Sequence, residues 1–196
     1  MRRLREFFDA SGFLEVETPL LSREIIPELH IEPIGVEGGA FLQASPELYM
    51  KRLLATGADK IFQLTRSFRA GERGQLHNPE FAIVEWYRAG DDMLAGIDLL
   101  DELTQSLLGT PPALRTSYAE AFERSLGISA HSATLGELAT AAEEAGIAVP
   151  AGMDRQDRDE WLNLLLAFRI EPELGRDRPE IIHHYPTTQA SLAKVV

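Results

Sequence analysis

The chain has 196 residues, of which 19 are basic and 31 acidic, so its formal net charge is −12. This acidic balance argues against broad, sequence-independent binding to nucleic acid, which needs a basic surface, but it leaves room for a local basic site. The absence of cysteine and of any long apolar stretch excludes disulfides, thiolate metal sites and membrane spans, which fits a cytoplasmic protein.

Hydrophobic periodicity predicts a mixed order of helices and strands. An apolar stripe at i, i+3 and i+4 marks the first helix, which stops before Gly12. We predict helices at 2–11, 47–56, 91–108, 118–126, 134–145 and 158–170, and strands at 13–19, 41–45, 61–69, 81–88 and 180–185. Residues 22–39 are ambiguous and include a candidate strand at 31–36 and a turn at 37–39.

Two strictly alternating segments, 61–69 and 81–88, predict long antiparallel strands. In the first, alternation gives an apolar row and a polar row, the latter made of Gln63, Thr65, Ser67 and Arg69. In the second, one face carries Phe81, Ile83, Glu85 and Tyr87. The connection between them is longer than a tight hairpin needs and is rich in charged groups, as in many active-site loops.

The functional groups of this hairpin suit a nucleotide beside an amine. Arg69, at a strand end, can clamp a phosphate through two parallel hydrogen bonds. Phe81 lies on a face where a purine can stack, and Glu85 and Tyr87 are suitable partners for an ammonium group. An ordinary amphipathic hairpin with Arg–Glu pairs on its wet face explains the same pattern, and the residues alone leave both interpretations open.

Three other features carry less information. Ser45 is predicted to cap the helix at 47–56, with Pro46 in its first turn, and Glu47 alone is read most simply as an acid that stabilises the helix dipole. In the helix at 91–108, Leu94 is expected on the buried side and the acids, including Asp101, on a solvated face. His183 and His184, adjacent on a strand, are expected to point to opposite faces, which argues against a metal pair.

The segment FRAGERGQLHNPEF, residues 68–81, resembles the second signature motif of class II aminoacyl-tRNA synthetases in its lysyl-type form. The helix and strand that end at Glu17-Thr18-Pro19 resemble the first motif, and SPELYMKRL at 45–53 is also similar to this family. EWYR at 85–88 and YPTTQASLA at 185–193 resemble a free-standing branch whose members attach β-lysine to elongation factor P. Three motifs in the same order are more specific than one.

The resemblance implies an α+β fold: a class II catalytic core, with an antiparallel sheet flanked by helices. It covers 1–196 as a partial catalytic domain, with a helical insertion around 117–170 and an incomplete C-terminus. It implies ATP and Mg²⁺ as cofactors, although no metal ligand is expected in this segment. β-Lysine or lysine would be activated as an acyl-adenylate and transferred to elongation factor P rather than to tRNA. A homodimer through residues 2–19 is also implied.

The same resemblance assigns site residues. The catalytic residue it implies is Arg69; the ATP-binding residues are Arg69, Glu72, His77, Asn78 and Phe81; and the substrate-binding residues are Ser45, Pro46, Glu47, Glu85 and Tyr87. The family glutamate that reads adenine would fall at Gly71, so either Glu72 replaces it through a shifted loop or backbone groups read the base.

The family pattern continues with acidic metal-binding strands and a third motif beyond Val196. We therefore expect residues 1–196 alone to have little or no adenylation activity. Two alternatives remain: a catalytic fragment of a lysyl-tRNA synthetase, and a non-catalytic remnant that binds only nucleotide or partners.

Overall fold

The structure, a computed structural model, describes residues 1–26, 31–190 and 193–195. The chain forms two compact units, Met1–Gly96 and Ile97–Val196. The described helices are all too short or too polar to cross a membrane. The elements of the first unit are α1 (Arg2–Ala10), β1 (Leu14–Glu15), β2 (Leu21–Ser22), β3 (Gly35–Val36), β4 (Ala40–Leu42), α2 (Glu47–Ala55), β5 (Lys60–Phe68) and β6 (Glu80–Arg88).

The hairpin of β5 and β6 is the centre of the first unit. Its antiparallel ladder runs from Lys60 opposite Arg88 to Phe68 opposite Glu80, within one residue of the predicted bounds. β1 joins β5 in parallel. The strand predicted at 13–19 is much shorter in the structure. After Glu15, one further backbone hydrogen bond joins Val16 N to the carbonyl of Phe62 (2.9 Å). The pairing ends before Pro19, which has no N–H to donate.

Helix α1 covers one face of this hairpin. The ring of Phe8 stacks on Phe62 with centroids 4.5 Å apart and also contacts Trp86 at 5.5 Å. Phe62 and Trp86 are cross-strand partners, so they share a face and present one apolar surface to the helix. The helix ends as predicted, and Gly12 turns the chain back with φ of +75°, which favours glycine. The hairpin is therefore held rigidly from this side.

A second small sheet, in the order β2-β4-β3, lies beside the hairpin. Gln43 joins the two sheets: its N–H donates to Leu20 and its carbonyl accepts from Phe68 N, both at 2.9 Å. The turn predicted at 37–39 is confirmed, and only Gly35–Val36 of the candidate strand at 31–36 is extended. Part of the ambiguous segment, residues 27–30, lies outside the described residues, as do Ser191 and Leu192 of the last motif.

The second unit is mainly helical. Its elements are α3 (Met93–Leu108, which begins in the first unit), β7 (Leu114–Ser117), α4 (Tyr118–Leu126), α5 (Leu135–Glu144), α6 (Arg158–Leu165), a π-helix (Leu166–Ile170), a 3-10 turn (Glu171–Glu173), β8 (Glu180–His183) and a 3-10 turn (Thr187–Gln189). The predicted helices are confirmed. Capping boxes at Ser117 and Thr134 start α4 and α5. The parallel pair of β7 and β8 includes a strand that the sequence did not predict.

Two predictions, one for α3 and one for the histidine pair, are wrong. Asp101 is only 7% exposed, whereas Leu94, in the first turn of α3, is 55% exposed. The Asp101 carboxylate accepts from the N–H of Ala113 at 2.8 Å, and this hydrogen bond compensates for its burial. His183 and His184 do not point to opposite faces: His184 leaves the strand with φ of +56°, and the two Nδ1 atoms lie 2.5 Å apart.

Candidate active site

The register of β5 and β6 places three of the predicted site residues, Phe81, Glu85 and Tyr87, on one face of the hairpin, opposite the face that α1 covers. Residues paired across an antiparallel ladder share a face. On this face Ser67 pairs with Phe81, Thr65 with Ile83, Gln63 with Glu85 and Ile61 with Tyr87. Four residue steps of extended strand lead from Phe81 to Glu85, which is roughly 13 Å at the usual rise. One face thus carries two groups of side chains, separated by the length of a small ligand.

Arg69 anchors the first group. Its Cζ lies 5.0 Å from the centroid of the Phe81 ring, and its Nε donates to the carbonyl of Ala44 at 3.3 Å. Nη1 is 3.5 Å from Oε1 of Glu72, and the Arg69 side chain is only 24% exposed. Its backbone N–H donates to the carbonyl of Pro79 at 2.9 Å, which closes the base of the loop. A guanidinium held on three sides is preorganised to meet an anion.

Glu85 is the centre of the second group. Oε2 accepts a hydrogen bond of 2.9 Å from Ser45 Oγ, and Oε1 accepts one of 2.6 Å from the hydroxyl of Tyr87. Ser45 Oγ in turn accepts from the N–H of Glu47 at 3.1 Å. The prediction of Ser45 as the helix cap is wrong: the helix begins at Glu47, Pro46 is its N-cap, and Ser45 lies one residue earlier. Both contacts to the Glu85 carboxylate come from neutral hydroxyls, so they orient the carboxylate and leave its charge in place.

The electrostatics of this group favour a bound cation. Burial raises the pKa of the Tyr87 phenol, and its hydrogen bond to Glu85 and the negative charges of Glu85 and Glu47 raise that pKa further. Two carboxylates therefore act on the same small region. An ammonium group bound there would neutralise the negative charge of Glu85 and Glu47, for which the protein's own groups compensate only in part.

Glu47 and Pro46 lie at the start of α2. The Glu47 carboxylate, on a side chain 21% exposed, forms an ion pair with Lys51 one turn later. Pro46 is fully buried, and its carbonyl accepts the N–H of Met50 at 2.9 Å. Pro46 therefore fixes the first turn of the helix, whereas Glu47 carries the charge at that turn.

The loop between the strands spans 69–79 and carries the remaining predicted residues. Gly71 has φ of +74°, and the N–H of Ala70 donates to the carbonyl of Glu32 at 2.8 Å. Glu72 lies against Arg69. His77 and Asn78 are exposed on the loop, and the structure does not bring them into the Arg69 group.

The sequence did not predict that three buried polar residues, Gln43, Gln63 and Ser67, support this site. Ser67 is fully buried and Gln63 is 2% exposed, although the alternation placed them on a polar face. The segment after β4 covers this row: Nε2 of Gln43 donates to the carbonyl of Arg66 at 2.7 Å. A polar residue between strand and helix carries no sequence signal for this role, since the contact depends on tertiary packing.

The donor set fits a nucleotide phosphate and an amine better than a resident metal. A guanidinium beside a half-buried aromatic ring suits an anion with an attached base. Within the part of the chain that the structure describes, no group of three or more His, Asp or Glu side chains is arranged to hold a metal ion.

Comparison with known proteins shows which family the chain resembles. The family described as tRNA synthetases class II (D, K and N) matches residues 1–192. Relatives named elongation factor P–(R)-β-lysine ligase are 42% identical in Erwinia tasmaniensis and 43% identical in Klebsiella pneumoniae subsp. pneumoniae, over 100% of this chain. The relative of that name in Sodalis glossinidius is 41% identical over 98% of it. The chain spans 62% of the length of each of these relatives.

Proposed function

The chain belongs to the class II tRNA synthetases of the D, K and N type, and from that premise we propose that the protein carrying it uses ATP to join β-lysine, or lysine, to a lysine of elongation factor P. The names of the relatives at 42% and 43% identity support this activity. The proposal depends on one observation. Arg69, a cation suited to bind phosphate, and Glu85, a carboxylate suited to bind an amine, lie on the same face of the hairpin.

The reaction has two steps. A carboxylate oxygen of the amino acid forms a bond to the α-phosphorus of ATP, and the bond from that phosphorus to the bridging oxygen breaks, releasing pyrophosphate. The ε-amine of the acceptor lysine then attacks the acyl carbon of the adenylate. An amide forms, AMP leaves with the electrons of the acyl–oxygen bond, and the amine loses a proton to solvent.

Arg69 is the catalytic residue of the first step. Its guanidinium, fixed by Ala44 and Glu72, stabilises the charge that develops on the α-phosphate oxygens. Phe81 stacks on the adenine, since its ring lies beside that guanidinium. His77 and Asn78 bind the phosphates or the nucleotide when the exposed loop folds over them. Mg²⁺ supplies charge neutralisation on the phosphates.

The amino acid lies along the same face. Glu85, oriented by Ser45 and Tyr87, holds one ammonium group, and Glu47 holds the other. Pro46 contributes by fixing the turn that presents Glu47. Glu72, paired with Arg69, is the candidate to replace the adenine-reading acid that the family pattern would put at Gly71.

The remaining proposals concern organisation. Residues 2–19 form a homodimer contact; Leu14, 63% exposed beside the first motif, offers apolar surface for it. Residues 117–170 are a helical insertion in the catalytic domain. Since the acceptor is a translation factor, the reaction takes place in the cytoplasm.

The acceptor distinguishes this activity from the main alternative. Radiolabelled β-lysine is incubated with ATP, the protein, and either elongation factor P or lysine tRNA. Label should appear on elongation factor P and be lost when its acceptor lysine is replaced by arginine. Label on tRNA would instead identify a lysyl-tRNA synthetase, and a protein that binds ATP without labelling either acceptor would be a non-catalytic remnant.

A further inference from the structure

Lys51 forms an ion pair with a carboxylate of the proposed amine site. It lies on α2 one turn after Glu47, and its Nζ donates to Oε1 of Glu47. The Lys51 side chain is 44% exposed and that of Glu47 is 21% exposed, so the pair lies between solvent and the proposed amine site. Pairs at this spacing are common on helices and contribute little to stability when exposed.

This pair differs from an ordinary surface pair because Glu47 also belongs to the Glu85 group. The N–H of Glu47 donates to Ser45 Oγ, and Ser45 donates to Glu85. The negative charge of Glu47 also acts on Tyr87, the second donor to Glu85. The group thus contains two carboxylates, of which Glu47 has an ammonium partner within the protein and Glu85 has hydroxyl donors.

We propose that Lys51 is a specificity-determining residue: its ammonium pairs with the carboxylate of Glu47, which one ammonium group of a diamino acid must take over. This inference rests on the proposed function. On binding, an ammonium group of the ligand replaces the Lys51 ammonium at Glu47, and the flexible Lys51 side chain moves into solvent. The exchange lowers the affinity for the inner amine and leaves the binding of the terminal amine at Glu85 unaffected.

The proposal assigns the inner amine to Glu47 and the terminal amine to Glu85. Glu47 follows Ala44, whose carbonyl contacts Arg69 of the phosphate group. Glu85 lies further along β6, four residues beyond Phe81. The carboxylate of the amino acid must reach the α-phosphate beside Arg69.

The test compares two ligands that differ by one amine. β-Lysine carries an inner and a terminal amine, and 6-aminohexanoate carries only the terminal one. Dissociation constants are measured by calorimetry for the wild-type protein and for Lys51→Gln. We expect Lys51→Gln to bind β-lysine about two- to fivefold more tightly, the range that corresponds to an exposed ion pair, and to bind 6-aminohexanoate with unchanged affinity.

Two control variants make the result specific. Lys51→Arg retains the cation and should not tighten β-lysine binding. Arg52→Gln removes a neighbouring cation of the same helix that pairs with Glu24 at 2.6 Å, and it should change neither affinity. The proposal is overturned if Lys51→Gln leaves β-lysine affinity unchanged or weakens it, or if both ligands shift equally. If the wild-type protein binds neither ligand, the proposed amine site itself is wrong.

Discussion

Ser45 Oγ donates a hydrogen bond of 2.9 Å to Oε2 of Glu85, a residue 40 positions further along the chain. The same oxygen accepts from the N–H of Glu47 at 3.1 Å, so its own proton is directed to the carboxylate. One hydroxyl therefore ties the start of α2 to the middle of β6. The geometry of the proposed amine site depends on this link.

Replacing Ser45 by alanine should weaken β-lysine binding. The variant leaves Oε2 of Glu85 without its donor, and a hydrogen bond to a charged group corresponds to about a tenfold change in affinity. In ATP–pyrophosphate exchange by the full-length protein that carries this chain, we expect KM for β-lysine to rise by about that factor and KM for ATP to stay constant. Ser45→Thr keeps the hydroxyl and should retain most of the affinity; an equal rise of both KM values would argue against a role confined to the amine.

Tyr87 should remain protonated at pH values where an ordinary tyrosine ionises. Burial, the hydrogen bond to Glu85 and the nearby carboxylates all raise its pKa above the usual value near 10. A phenol with a raised pKa stabilises the fold fully below that usual value, and this contribution is lost as the pH rises through the higher folded-state pKa. The absorbance at 295 nm is titrated for the wild type and for Tyr87→Phe. At pH 10 the two proteins should show the same tyrosinate absorbance, because the Tyr87 phenol is still protonated. A difference equal to one tyrosinate there would contradict the raised pKa.

In the full-length protein that carries this chain, Arg69→Ala should abolish most of the exchange activity. Loss of one preorganised donor to developing charge lowers rates by about 100- to 1,000-fold. Arg69→Lys should restore only part of it, because an ammonium lacks the planar fork that contacts a phosphate through two hydrogen bonds.

Arg66→Gln is the matched control for this experiment. Arg66 lies on the opposite face of the same strand, is 57% exposed, and pairs with Glu80 at 3.7 Å. Its removal should leave the exchange rate unchanged. If both arginine variants lose activity equally, the loss reflects damage to the hairpin and not the catalytic role of Arg69.

The hairpin and its site face could be predicted because they follow from local pattern. Strict alternation fixed the strand bounds to within one residue and placed Phe81, Glu85 and Tyr87 on one face. The sequence could not predict that Ser67 on that face is fully buried, because burial depends on the segment after β4 that covers it.

The missed features of the second unit have similar causes. β7 is only four residues long and pairs with a strand more than sixty positions away, so no local alternation reveals it. Asp101 is buried because a distant backbone N–H, that of Ala113, compensates for its desolvation. The turn at His184 depends on a positive φ that a histidine rarely adopts and that no neighbouring residue indicates.

Glu180 should make the stability of the second unit sensitive to acid. Burial pushes its pKa up, but hydrogen bonds from Thr116 (2.6 Å) and Arg124 (2.8 Å) outweigh this, so the pKa lies below its ordinary value. The stabilisation is therefore present above the pKa of the unfolded state and is lost as pH falls through the lower folded-state value.

The corresponding variant is Glu180→Gln. At pH 7 it should lower the free energy of unfolding by about 1 kcal/mol, a modest value because Arg124 is half-exposed. Urea unfolding at pH 7 and at pH 3 should show the difference from wild type shrinking at the lower pH. A difference that stays constant with pH would mean that the carboxylate charge makes no contribution.

The most direct test of the proposed site is calorimetric binding of β-lysine and of ATP to Glu85→Gln. This substitution keeps the size of the side chain and removes the charge that Ser45 and Tyr87 orient. If Glu85 holds an ammonium group, the dissociation constant for β-lysine rises about tenfold or more while that for ATP stays the same. Unchanged β-lysine affinity would contradict the account, because the hairpin face would then not be an amine site.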